Sequence, residues 1–204
     1  MVVAPQHEKN GRTAVLAAAR DLFDSHGFHQ TSMAELAASA HVSVGQMYRL
    51  FKGKEDIIEA LVIDNADQWC AEMNALRRQL DGGELSIDQT FEALLRHTVD
   101  SEDEALAFDI LAEGFRNQAV SKTIGDMCAR FRNIIRYFAS AANPRLTGQD
   151  LDAAEEVVLA CLFGLGHRSL SRPRLDAACT AARSAEMILA ALRSLAPAPD
   201  PRSS

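Results

Sequence analysis

An all-α fold is what this sequence predicts, on three observations: a composition weighted toward helix formers, apolar residues spaced at the helical period, and recurrent N-terminal capping signals. The 204 residues include 34 Ala and 22 Leu against 10 Val and 9 Ile, a bias toward helix formers and away from β-branched strand residues. Apolar residues make up 48% and charged residues 24%, ordinary for a globular chain that buries a core.

From Arg12, the residues Val15, Leu16, Ala19, Leu22 and Phe23 follow a 3.6-residue period, and Gly27 stands where a helix would end. Ser32 and Glu35 have the spacing of a capping box and start a short second helix that reaches Ala40. Only His41 and Val42 separate it from a second such pair, Ser43 with Gln46, which starts a third helix from Val44 to Phe51. Gly53 is the expected N-cap of a long helix that runs from Lys54 to about Leu80, with a stripe of Ile58, Val62, Ala66, Trp69, Met73, Leu76 and Leu80, and Gly82-Gly83 closes it.

Capping pairs Ser86/Gln89 and Ser101/Glu104 open the next two helices, and another follows from about Ser121 with Ile124, Met127, Cys128, Phe131, Ile135 and Phe138 on one stripe. Asn143-Pro144 breaks the chain before a helix from Thr147 to Ser169, and Arg172-Pro173 breaks it before the last, Leu175 to Leu195. About nine helices result. The proline-spaced tail 197–204 has no apolar anchor and is expected to be disordered.

Charge divides unevenly along this chain. Residues 1–54 hold six Lys or Arg against four Asp or Glu, a net +2; the remaining fifteen against twenty-four give −9, for the total of −7. The basic cluster Arg49, Lys52 and Lys54 falls just after two short helices joined by a tight turn, the spacing of a helix-turn-helix whose second helix can enter a DNA major groove. In that second helix, beginning at Val44, Gly45 permits close backbone approach, and Tyr48 and Arg49 suit phosphate oxygens, with Lys52 and Lys54 adding charge at the edge. Met33, Leu36, Ala37, Val42, Met47, Leu50 and Phe51 read as the small core behind it.

The stretch Phe28 to Asp56, FHQTSMAELAASAHVSVGQMYRLFKGKED, resembles the DNA-binding domain of the TetR family of transcriptional regulators. The likeness rests on the Thr-Ser opening, the M-A-E-L-A run, the V-S turn, the G-x-x-Y-x-x-F reader and the K-x-K-E-D start of the fourth helix. It implies a three-helix DNA-binding domain over 1–54 and a helical ligand-binding and dimerisation domain over 55–196. It also implies that Thr31, Ser32, Ser43, Tyr48 and Lys54 contact phosphate, with Arg49 and Lys52 nearby.

Three positions depart from the family pattern. His41 replaces a frequent turn glycine where positive φ is expected, and Gly53 replaces a serine N-cap. Gln46 replaces a small residue; its amide has two uses, pairing with adenine N6 and N7 or completing the cap with Ser43.

In the acidic part, the eighth helix carries two apolar stripes: Leu151, Val158, Cys161, Leu162 and Leu165 on one, Val157, Ala160 and Gly164 on the other. One core does not easily cover both. The last helix carries Ile188, Leu189, Leu192 and many alanines, so a homodimeric four-helix bundle is the expected second burial site. Apolar side chains suited to a small-molecule pocket are Trp69, Met73, Phe91, Phe108, Phe115, Met127, Phe131 and Cys161, with His97, Asn117 and His167 as polar partners; plain core packing competes for each.

The resemblance implies a repressor, released from a near-palindromic double-stranded operator when a small apolar or amphipathic effector shifts the fourth helix. Activation stays open, as does an all-helical binding protein or enzyme whose helix-turn-helix only packs. No H-E-x-x-H, Glu-x-x-His pair or G-x-S-x-G occurs, so no catalytic residue, metal ligand or cofactor is expected. Cys70, Cys128, Cys161 and Cys179 lack C-x-x-C spacing, and the N-terminus lacks the apolar core of a signal peptide. Both point to free thiols in a reducing cytoplasm. The most apolar stretch, Val157 to Gly166, is about half of a spanning helix, and no membrane partner is expected.

Overall fold

A computed structural model describes residues 5–100 and 104–195. Among these the chain forms α1 (Pro5–His26), α2 (Met33–Ser39), α3 (Val44–Leu50), α4 (Lys54–Asp81), α5 (Ile87–Val99), α6 (Glu104–Gly114), α7 (Gln118–Ala142), α8 (Gly148–Gly166) and α9 (Ala177–Ser194), with a 3-10 turn at Arg168–Ser171. No strand occurs among the described residues. The tail 197–204, and Ser101 of the Ser101/Glu104 pair, lie outside them.

Two of the expected capping boxes close in full. Ser32 Oγ accepts the Glu35 N–H at 3.2 Å while Glu35 Oε2 accepts the Ser32 N–H at 2.7 Å. Ser86 and Gln89 repeat the arrangement at 3.2 and 2.9 Å. Gly27 ends α1 at φ 83°, and His41 adopts φ 54°, the positive value expected at that turn.

Elsewhere the boundaries move for identifiable reasons. Helix α1 begins at Pro5, seven residues before the expected start at Arg12; proline at a helix start lacks only an N–H that has no intrahelical acceptor there. Helix α7 begins at Gln118 because Asn117 Oδ1 accepts the N–H groups of Ala119 at 2.9 Å and Val120 at 3.4 Å. That use makes Asn117 a cap, not the polar ligand partner expected of it. Helix α8 stops at Gly166, before the 3-10 turn and Arg172 at φ 53°; α9 starts at Ala177, where Asp176 Oδ1 accepts the Cys179 N–H at 2.7 Å.

The structure divides into two compact units. One gathers α1, α2, α3, α4 as far as Ala66, α6, and α7 as far as Met127; the other gathers the rest of α4 and α7 with α5, α8 and α9. The first unit is built around Val15, Phe23, Leu36, Met47, Phe51, Ile58 and Leu61, each fully buried or nearly so. Met33, Val42 and Leu50 pack partly buried against this core, so all seven residues expected behind the reader are there. The second unit buries Phe91, Leu94, Leu95, Phe138, Val158, Leu162, Ala185, Leu189 and Leu192. In it α9 lies along α5, fastened by two hydrogen bonds from Arg193 to Asp88 at 3.0 and 2.6 Å. Asn143 Nδ2 donates to the Leu192 and Leu195 carbonyls at 2.8 and 3.0 Å, satisfying acceptors that the end of α9 leaves open.

Candidate nucleic-acid interface

Helix α3 has only seven residues, too few to be stable by propensity alone, so it depends on its cap and its buried face. Ser43 Oγ accepts the Gln46 N–H at 3.1 Å, while Met47, fully buried, and Phe51, 2% exposed, anchor the inner side. The outer side is consequently Ser43, Val44, Gly45, Tyr48 and Arg49, all exposed; Val44 is 52% and Tyr48 55% accessible. Nothing lies within 4 Å of the position a Cβ on Gly45 would take, so the backbone there is open to a large partner. Lys52 is exposed just beyond the helix, and its N–H is held by Asp56 Oδ2 at 2.8 Å at the start of α4.

Gln46 takes neither a full cap nor an outward position. Its side-chain amide does not return to the Ser43 N–H; instead it lies against α1, where a Cβ added to Gly11 would come within 2.8 Å of Nε2. The amide is therefore not spent on the cap, and the close passage of α1 at Gly11 sets where it rests.

The other expected phosphate contacts divide. Ser32 is exposed at the start of α2, with its hydroxyl engaged in the capping box. Those hydrogen bonds from Ser32 hold the Glu35 carboxyl below the usual carboxylate range. Thr31 is 2% exposed, and its hydroxyl is turned inward, donating to the Gly27 carbonyl at 3.0 Å. That hydroxyl is withdrawn from the surface because the turn after α1 leaves carbonyls in need of a donor. Lys54 is half-buried: Nζ donates to the Phe28 carbonyl at 2.6 Å and the His29 carbonyl at 3.2 Å, and sits 4.6 Å from the centroid of the Phe28 ring. Neither of these internal contacts was legible in residue type, since threonine and lysine serve phosphate equally well.

The residues expected to line an effector pocket are divided between the two units. Phe108, Phe115 and Met127 belong to the first unit, and Trp69, Met73, Phe91, His97, Phe131 and Cys161 to the second. Phe115 is 93% exposed, a ring at the surface. Within the second unit Trp69 and Phe131 stack at 4.0 Å between centroids, while Met73 and Phe91 are core residues, each 1% exposed. His97 faces outward, paired with Glu72 at 2.8 Å in a shallow depression lined with Ala93, Arg96 and Asp100. His167 is fixed at the end of α8, its Nδ1 2.7 Å from the Phe163 carbonyl.

The expected dimer residues divide too. Val157, Ala160 and Gly164 form an exposed stripe on α8. Ile188 is half-buried, and Leu189 and Leu192 are 2% and 3% exposed, turned into the unit's own core. Those two leucines hold α9 inside the chain and are corrected out of any face between subunits; Met187, 74% exposed, with Ala190 and Ala191, occupies the outward side. The error has a simple origin: α9 has apolar residues on both sides, and periodicity does not say which side is inward.

Among the described residues no group of three or more His, Cys, Asp or Glu could hold a metal ion, and no helix is long and apolar enough to cross a membrane. Burial pushes the Cys128 thiol up, with Arg132 opposing, so burial works against the low pKa that a reactive thiolate requires.

Residues 15–61 match the family model described as bacterial regulatory proteins, tetR family. Over 111 residues the chain is 32% identical to the HTH-type transcriptional regulator UidR of Escherichia coli K12, an alignment covering 54% of this chain and 55% of UidR. The chain thus spans about half the length of the curated relatives it matches. Among solved structures, a bacterial regulatory protein in the tetR family from Rhodococcus RHA1 matches at TM-score 0.69 and 19% identity, covering 91% of this chain and 98% of that one. The transcriptional regulator FadR from Bacillus subtilis, in complex with stearoyl-CoA, matches at 0.66 and 16%, covering 89% and 97%. At these identities the structural likeness is one of fold. The N-terminal helix-turn-helix, over residues 15–61, is thus similar to that of the tetR family of bacterial regulatory proteins.

Proposed function

We propose that the protein is a transcriptional regulator that binds a double-stranded DNA operator through α3 as a homodimer, and that a small apolar or amphipathic effector releases it. The observation that carries this reading is the outer face of α3. A helix too short to stand alone is capped and buried on one side so that Val44, Gly45, Tyr48 and Arg49 are presented on the other. Tyr48 and Arg49 supply phosphate contacts, with Ser43 and Lys52 at the two ends, and Gln46 reads a base edge from the inner margin.

Two readers spaced by about 34 to 36 Å would reach successive major grooves, which makes the operator near-palindromic. The second copy is placed on the exposed α8 stripe of Val157, Ala160 and Gly164 and the Met187 side of α9, whose small residues allow close helix packing. Residues 1–54 act as the DNA-binding part and 55–196 as the effector and dimer part of a cytoplasmic repressor. The Trp69–Phe131 stack is the start of an effector site, and stearoyl-CoA in the Bacillus subtilis neighbour supports an amphipathic class of effector.

The test is selection of bound sequences from random duplex DNA at a stated salt concentration, repeated with Tyr48→Ala, Arg49→Ala and Gln46→Ala. A palindrome enriched by the native protein and lost with Tyr48→Ala or Arg49→Ala is expected. No enrichment by folded native protein overturns the regulator reading, and an unchanged base preference in Gln46→Ala removes Gln46 from base readout.

A further inference from the structure

We propose that Asp109, a carboxylate on α6, and Lys54, at the start of α4, are positioning residues for DNA recognition that hold the backbone N–H and carbonyl of one residue, Phe28. The inference rests on the DNA-binding reading above.

The grip is on the turn between α1 and α2. Gly27 leaves α1 at φ 83°, and the next N–H, that of Phe28, points away from the helix. Asp109 Oδ2 accepts it at 3.0 Å across a separation of 81 residues. The carbonyl of the same residue accepts from Lys54 Nζ at 2.6 Å, and that ammonium also takes the His29 carbonyl and lies over the Phe28 ring. The ring itself is 3% exposed and meets Phe23 edge-on at 5.3 Å. Thr31 takes the Gly27 carbonyl. The N–H and carbonyl of Phe28 are thus each held by a side chain from another element of the unit, and Ser32, the N-cap of α2, follows four residues later. Since α2 and α3 pack together, the turn that sets the entry of α2 also sets the reader.

Charge-assisted hydrogen bonds from both directions are stronger than neutral ones. Their removal should loosen the turn and lower specific affinity by about tenfold, the size expected for losing one bond to a charged group. Simple electrostatics predicts the reverse sign for Asp109, because removing a negative charge from a phosphate-binding protein tightens its binding. For Lys54 the rival role is a phosphate contact, whose loss lowers the slope of log K against log salt by about 0.9.

The experiment measures affinity of the full chain for its selected operator across a salt series, for Asp109→Ala, Asp109→Asn and Lys54→Met. Thermal unfolding and amide exchange at Phe28 are followed in the free protein. Expected are roughly tenfold weaker specific binding in Asp109→Ala, faster exchange at Phe28, recovery of most of the affinity in Asp109→Asn, which keeps an oxygen acceptor, and an unchanged salt slope in Lys54→Met. Tighter or unaltered binding in Asp109→Ala, or unaltered Phe28 exchange, overturns the role of Asp109. Should Asp109→Ala not fold, Asp109→Asn still decides by sign, since a charge effect tightens binding and a weakened grip does not. A slope reduced by about one phosphate in Lys54→Met overturns the role of Lys54. Native protein that enriches no DNA overturns the regulator reading and this proposal together, whereas native binding with indifferent variants overturns this proposal alone.

Discussion

Helices α3 and α9 each bury one face and expose the other, yet they are held in different ways. In α3, seven residues rely on the Ser43 cap and on Met47 and Phe51, and the exposed face mixes glycine, aromatic and cationic groups. In α9, eighteen residues rely on a row of small and aliphatic side chains, Ala181, Ala185, Leu189 and Leu192, laid along α5, and the exposed face has Met187 between alanines. The first arrangement leaves polar groups free to meet a charged partner. The second leaves apolar surface that water covers poorly. One helix exposes polar chemistry and the other exposes apolar area.

The largest effect that would sharpen this contrast lies on α9. Truncating Leu189→Ala removes a side chain that is 2% exposed and should destabilise the chain by about 2 to 5 kcal/mol. Met187→Glu, at a site 74% exposed, should stay within about 0.5 kcal/mol in the single chain while weakening the self-association proposed above. Denaturant unfolding and sedimentation check the pair. Should Met187→Glu unfold the chain and Leu189→Ala leave it intact, the two faces of α9 have been exchanged.

This pair also shows what was legible beforehand and what was not. The caps at Ser32 and Ser86, the helix end at Gly27 and the positive φ of His41 are all decided within a few residues, so a sequence window contains their cause. The reader's exposed face was legible for the same reason, because Met47 and Phe51 follow a local period. The inward side of α9 is decided by Leu94 and Leu95 on α5, almost a hundred residues earlier, and no window contains both. The internal bonds of Lys54 and Thr31 were illegible for a like reason: the carbonyls of Phe28 and Gly27 that they engage are set by a turn, and carbonyls carry no signature of residue type.

A smaller effect tests whether α3 depends on its cap as its length implies. Ser43→Ala removes the acceptor of the Gln46 N–H and should cost about 1 kcal/mol, a fall in melting temperature of about 2 to 4 °C for a chain of this size. Operator affinity should fall further than stability suggests, because Ser43 stands on the exposed face beside Val44. His41→Gly works in the opposite direction. It relieves a left-handed backbone that costs an L-residue about 1 to 2 kcal/mol, against a glycine entropy penalty of about 0.5 to 1. A small net gain in calorimetric stability is expected, and a loss would mean that the His41 side chain supports the turn.

The smallest effect concerns acid. Glu35 is held below its ordinary pKa by the hydroxyl and N–H of Ser32, on the open surface of α2. A carboxyl whose folded pKa is depressed contributes stability above its unfolded value of about 4.3 and loses it as pH falls through the lowered folded value. The capping box should therefore be intact at neutral pH and weaken only below about pH 4.3. Glu35→Gln keeps an oxygen to accept the Ser32 N–H but removes the titration. Its unfolding should match the native chain less a small constant near pH 7, and the gap should close as the native chain is acidified. A gap that instead widened on acidification would mean that the folded carboxyl binds its proton more readily than the unfolded one. The first turn of α2 would then be held by something other than the carboxylate.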